Sequence, residues 1–168
     1  MNNGVKIFMC KCLCIILFMC CQRFSKEMSF ASQYEFYDFS EFKGISVILR
    51  GVDSADNYIV FGSISTSYDT PSVPFDIVLE KKTMQLIRIK TIYDKCCIDT
   101  FEIQQLAQKF LAFDIRRLDV DLNNNVFVFF DEPETLTMVK FINDEELLER
   151  SSEMQWKKIK GKWYSPKW

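Results

Sequence analysis

Between Asp99 and Phe113 apolar residues recur at helical spacing. Ile103, Leu106, Ala107, Phe110 and Leu111 share one face, with Glu102, Gln105, Gln108 and Lys109 elsewhere. Asp99 and Glu102 have the spacing of a reciprocal capping box, so the pattern predicts a helix over 99–113. Directly afterwards the period falls to two. Leu118, Val120 and Leu122 alternate with Arg117, Asp119 and Asp121, as in a half-buried strand. Asn123, Asn124 and Asn125 turn the chain, because Asn tolerates left-handed backbone, and residues 126–130 return as a strand.

The same two periods organise the flanks. Residues 45–52 and 58–66 are β-branched runs joined by the polar loop 53–57, which predicts a hairpin. Residues 67–74 hold two prolines and no period, so they read as a surface loop. Residues 75–80 and 83–92 predict a second hairpin around Lys81 and Lys82, and residues 136–142 another strand. Asn143 and Glu146 repeat the capping-box spacing, with Asp144 and Glu145 where the helix dipole favours acids, giving a short helix over 144–150. Tyr34, Phe36, Tyr37, Phe39 and Phe42 fit neither period and are expected to pack beneath the sheet. The order predicts an α+β fold, a mostly antiparallel sheet of about six to seven strands covered by one main helix.

Composition changes the picture in three places. Sixteen phenylalanines in 168 residues call for an aromatic core. Histidine is absent, which excludes Ser-His and Cys-His nucleophile pairs, histidine metal sites and the commonest general base, and weighs against an enzyme. The formal charge of −2 argues against nucleic acid as a partner, which needs a basic footprint.

The first 21 residues differ from the rest. Lys6 and Lys11 precede an apolar run of nine, Leu13 to Cys21, and this stretch has no acid, leaving the remaining chain at −4. That is the layout of an export signal, and the run is shorter than the roughly 20 residues a spanning helix needs. Its end, Leu17-Phe18-Met19-Cys20-Cys21, resembles the lipobox of bacterial envelope lipoproteins, in which a cysteine becomes the diacylated mature N-terminus. The resemblance covers residues 1–21 alone and implies Cys21 or Cys20 as the lipidated residue, with the membrane as a partner through lipid. Cys21 has a small neighbour before it; Cys20 has Leu17 at the favoured third position upstream but Met19 just before it. A cleavable secretory signal and a short uncleaved anchor fit the same residues. In this reading 1–21 is signal or anchor, 22–32 a polar tether, and 33–168 one domain.

Candidate chemistry is sparse. Cys96 and Cys97 read as ordinary thiols, with a vicinal or intermolecular disulfide as the alternative. Asp119, Asp121, Asn123 and Asn125 resemble the start of an EF-hand loop, but its sixth position is Asn124 rather than Gly and its twelfth Phe130 rather than Glu. No metal or other cofactor is expected. Glu145 and Glu149 are a carboxylate pair at helical spacing. The C-terminal stretch interleaves Trp156, Trp163 and Tyr164 with Lys158, Lys160 and Lys162. It reads either as an edge strand with lysines discouraging further pairing, or as a surface for a partner or membrane. The leading functional expectation is a non-catalytic binding protein of the cell envelope. The alternatives are an acidic antagonist that meets a basic toxin or hydrolase through 131–134 and 144–149, and a carboxylate-dependent hydrolase.

Overall fold

In the computed structural model, which describes residues 26–91 and 99–167, a single antiparallel sheet runs through the molecule. Its strands are β1 (Ile45–Val52), β2 (Asn57–Ile64), β3 (Val73–Glu80), β4 (Leu86–Thr91), β5 (Arg117–Val120), β6 (Val126–Phe129), β7 (Met138–Lys140), β8 (Trp156–Lys160) and β9 (Trp163–Pro166). Their spatial order is β4-β3-β2-β1-β5-β6-β7-β9-β8. Three helices accompany them: α1 (residues 26–33), α2 (Thr100–Ala112) and α3 (Asp144–Ser151).

The α+β class is as the periodicity predicts, but the sheet has nine strands rather than six or seven. Gly161, at φ +53°, splits the C-terminal stretch into the hairpin β8–β9. Such a backbone angle suits glycine, which has no Cβ to clash. β9 then inserts between β7 and β8.

Helix α2 begins where the sequence places it, with Asp99 accepting a hydrogen bond from the Phe101 N–H at 3.1 Å. The return bond from Glu102 is not among the contacts of the described residues; Glu102 is exposed. Helix α3 is capped by Asn143, which accepts from the Glu146 N–H at 2.9 Å. Its Glu146 carboxylate does not reach back either. It reaches sideways to the Asn turn, accepting from Asn123 Nδ2 at 2.7 Å and Asn125 Nδ2 at 2.8 Å.

One face of the sheet is the core. Val47, Val60, Ile77, Leu118, Val128 and Met138 join Ile103, Ala107 and Phe110 of α2 in one buried cluster. Gly62 permits a close approach there: Phe75, its cross-strand partner, lays its ring over the glycine, and a Cβ would stand 2.1 Å from that ring. An aromatic covering a strand glycine recovers burial that the missing side chain would lose.

The expected tether over 22–32 does not hold from residue 26 onward. Those residues are helical, and Phe30 and Ala31 are buried in the core. The Phe30 ring stands 4.5 Å from Tyr34, 5.4 Å from Phe130 and 5.6 Å from Trp163. Only a narrow stripe of α1 faces inward, so polar neighbours such as Lys26 and Ser29 mask it in the sequence. The leader 1–21 and the Cys96–Cys97 pair lie outside the described residues. Among the described residues no helix is long and apolar enough to cross a membrane.

If α1 is part of the folded unit, Phe30→Ala should lower unfolding free energy by about 3–5 kcal/mol in urea denaturation. A loss below about 0.5 kcal/mol, the usual effect of a surface change, would return α1 to the status of a tether.

Candidate functional site

The second face of the sheet is less completely covered, and the strand register says what it displays. Residues opposed across a ladder share a face. Ser63 opposes Ser46, Ser46 opposes Asp119, Asp119 opposes Phe127, Phe127 opposes Val139, and Val139 opposes Tyr164. One row therefore runs from hydroxyl through carboxylate to aromatic.

The polar part of that row floors an open cleft of about 490 Å³. Ser65, Ser67, Thr70 and Ser72 from the β2–β3 loop line it with Ser46, Ser63, Asp119, Asp121, Phe127 and Phe129. Tyr68 stands on its rim, 71% exposed. Asp119 is held in place by its neighbours. Ser46 Oγ donates to it at 2.6 Å, and Arg117 holds both oxygens through Nε at 2.9 Å and a terminal nitrogen at 2.7 Å. Bidentate pairing of this kind fixes orientation as well as charge. Arg117 is fixed in turn, donating to the Pro133 carbonyl at 3.1 Å and lying 4.8 Å from the centre of the Phe129 ring.

The turn 121–125 forms one wall of this cleft. Asp121 accepts from the N–H groups of Asn123 at 2.9 Å and Asn125 at 2.8 Å, and from Asn125 Nδ2 at 2.9 Å. Asn125 is fully buried, and its Oδ1 accepts from the Ile142 N–H at 3.0 Å. In the pattern that resembles the start of a calcium loop, the oxygens of Asp121 and Asn125 are thus committed to amide donors and those of Asp119 to Ser46 and Arg117.

Beyond the same turn lies a second cleft, of about 400 Å³. Its walls are the segment 35–40, the end of β7 with Phe141 and Ile142, and the Gly161–Lys162 turn. Lys140 enters from β7, donating to the Tyr37 carbonyl at 3.0 Å, with its ammonium 5.4 Å from the Phe39 ring centre and 5.8 Å from that of Trp163. Burial pushes its pKa down, and the neighbouring charge of Lys162 adds to that, against weaker opposite pulls from Asp38 and Glu35. Lys162 donates to the Ile142 carbonyl. Among the described residues neither ammonium has a carboxylate within ion-pair distance, whereas Glu35 is paired with Lys160 at 3.1 Å.

The residues singled out in the C-terminal stretch do not form one surface. Trp163 faces the core at 0% exposure, which removes it from any partner face. Trp156 and Tyr164 turn to the other side of the sheet, 5.2 Å and 5.6 Å from the Phe141 ring. Lys158 reaches over Tyr164 at 5.8 Å, and Lys160 goes to Glu35. The acidic segments are also apart. Residues 131–134 follow the end of β6 and 144–149 follow the end of β7, at opposite ends of an antiparallel pair. Glu145 and Glu149 are both exposed on α3.

Tyr37, in the wall of the second cleft, donates to Glu41 at 2.8 Å. Burial, then this hydrogen bond, push its pKa up to about 12. A raised phenol pKa adds stability that is fully present below the ordinary value of 10 and is lost as pH climbs through about 12. Phenolate absorbance should therefore show a late-titrating group that Tyr37→Phe removes, together with part of the stability loss between pH 10 and 12. If the amplitude lost in that variant lies near pH 10 rather than near 12, the phenol is not held by burial and Glu41 in solution.

Comparison of the chain with protein-family models, curated proteins and solved structures finds no match.

Proposed function

We propose that this chain is a non-catalytic binding module of the cell envelope, exported and held there through residues 1–21. Its recognition surface is the hydroxyl-lined cleft, and its ligand a neutral, polyhydroxylated molecule such as a short glycan. The observation that carries this reading is the row Ser63, Ser46, Asp119 and Phe127, which sets hydrogen-bonding groups beside an aromatic floor. A sugar presents the same combination, with hydroxyls around its edge and C–H groups on its flat faces. Ligand sites generally combine apolar and aromatic walls with a few fixed polar groups, in volumes of roughly 300–1,000 Å³. Asp119 is oriented before any ligand arrives, so little ordering cost falls on binding. Tyr68, exposed on the rim, supplies a ring that a sugar face would cover. The leader supports the envelope location through its two lysines, short apolar run and paired cysteines.

Titration calorimetry of the purified body with chitotetraose, cellotetraose and maltotetraose should reveal binding to at least one. Ser46→Ala and Tyr68→Ala should each weaken that binding fivefold or more while Lys162→Gln leaves it unchanged. No heat from any of the three, or equal binding by both cleft variants, would remove the reading. Independently, replacing Cys20 and Cys21 together by Ser should shift the full chain from the membrane to the soluble fraction of the producing cell. Unchanged membrane fractionation would rule out a lipid anchor at either cysteine.

A further inference from the structure

The second cleft does not take part in the glycan reading, and its chemistry is different. Lys140 and Lys162 lie across the β7–β9 junction, where the Phe141 N–H donates to the Lys162 carbonyl at 3.1 Å. Each ammonium spends one N–H on a backbone carbonyl and keeps the others. Two neighbouring cations without a counter-charge cost free energy, the more so when one is withdrawn from water. Burial at Lys140, reinforced by the charge of Lys162, is visible in its lowered pKa. The two carboxylates of the lining relieve this only in part. Glu35 pairs with Lys160, and Asp38 accepts from the Ser40 N–H at 2.9 Å. Around the cations the wall is apolar, formed by Phe39, Val126, Phe141 and Ile142, with Phe36 standing 92% exposed at the rim. Asn124, held at φ +66°, contributes a buried side-chain oxygen with no hydrogen-bond partner.

From this arrangement we propose that the cleft is a binding site for a small monocarboxylate with an apolar body and a hydrogen-bond donor beside the carboxylate. The carboxylate lies between Lys140 and Lys162, the apolar body lies against Phe39 and Ile142, and the donor meets Asn124 Oδ1. Glu35 and Asp38 at the margin disfavour a second negative charge, which selects a carboxylate over a phosphate dianion. A buried acceptor left unpaired penalises ligands that lack the donor.

The probe is 3-phenyllactate, which carries a carboxylate, an adjacent hydroxyl and one ring, titrated into the purified full chain by calorimetry. Three relatives complete the set: 3-phenylpropionate lacks the hydroxyl, 2-phenylethanol lacks the carboxylate, and phenyl phosphate replaces it with a dianion. Binding of 3-phenyllactate is expected, with 3-phenylpropionate about fivefold weaker and the other two at least tenfold weaker. Lys140→Met and Lys162→Gln should each weaken 3-phenyllactate at least tenfold. The exposed position of Lys162 keeps the test decisive if the Lys140 variant fails to fold. Asn124→Gly tolerates the positive φ and should reduce 3-phenyllactate to the level of 3-phenylpropionate without changing the latter. The proposal is overturned if 3-phenyllactate does not bind, if 2-phenylethanol or phenyl phosphate binds as well, or if folded Lys162→Gln binds unchanged. Because Ser46→Ala lies in the other cleft, its effect on the oligosaccharides reports on the glycan reading separately.

Discussion

Phe113, at the C-cap of α2, is the point on which the layers of this molecule converge. Its ring meets Phe30 of α1, Tyr34, Tyr37 and Phe39 of the aromatic segment, and Phe42 of a 3₁₀ turn over Ser40–Phe42, at centroid separations between 5.1 and 6.5 Å. Several of these contacts are edge-to-face, the geometry that aligns the positive rim of one ring with the negative face of another. The segment 34–39 has no regular secondary structure, so ring packing rather than a backbone ladder fixes its position. That placement brings the Tyr37 carbonyl to Lys140 and sets one wall of the lysine cleft.

The turn 121–125 is the second organising element, and it belongs to both clefts at once. Asp121 and Leu122 line the hydroxyl cleft, while Asn124 and Val126 line the lysine cleft. Its shape is held by amide-to-carboxylate hydrogen bonds, with Glu146 of α3 closing the set. A buried Asn at 0% exposure is tolerable only because its donors and acceptor all find partners. Helix α3, with no buried residue of its own, is tied to the sheet by polar contacts and by Arg150 over the Phe127 ring at 5.5 Å. The result is one rigid partition with chemically distinct surfaces on either side: hydroxyls and rings on one, cations and apolar wall on the other.

Much of the fold was legible in the sequence because periodicity reports local geometry. The helix from Asp99, the hairpins around 53–57 and 81–82, and the Asn turn all appear close to where pattern and capping chemistry put them. What escaped depends on contacts distant in the chain. Helix α1 buries too few residues to impose a period on a polar stretch, and β9 takes an interior place that nothing local encodes. Of the two readings of the C-terminal stretch, Trp163 follows the strand one and faces inward, because side chains alternate along a strand. The clefts were illegible for the same reason: Ser46, Ser63 and Asp119 meet only through register. One signal was available. Lys140 shares the inward parity of Met138, and a lysine at such a position of a short apolar strand marks either an error or a site.

The β8–β9 hairpin hangs on a narrow seam. β8 joins the sheet only through β9, and β9 joins β7 through the pairs Val139–Tyr164 and Lys140–Trp163, with the Phe141 N–H donating to the Lys162 carbonyl beside them. The Trp163 ring backs this short ladder, 0% exposed and edge-on to Phe30 and Phe39, so the hairpin is held by the shared core as well as by its pairing. Lys140 belongs to the sheet body and Lys162 to the hairpin, so an anion gripped by both would act as a clasp across the seam. Occupancy of that small cleft and the lifetime of the closed sheet would then be one equilibrium seen from two sides.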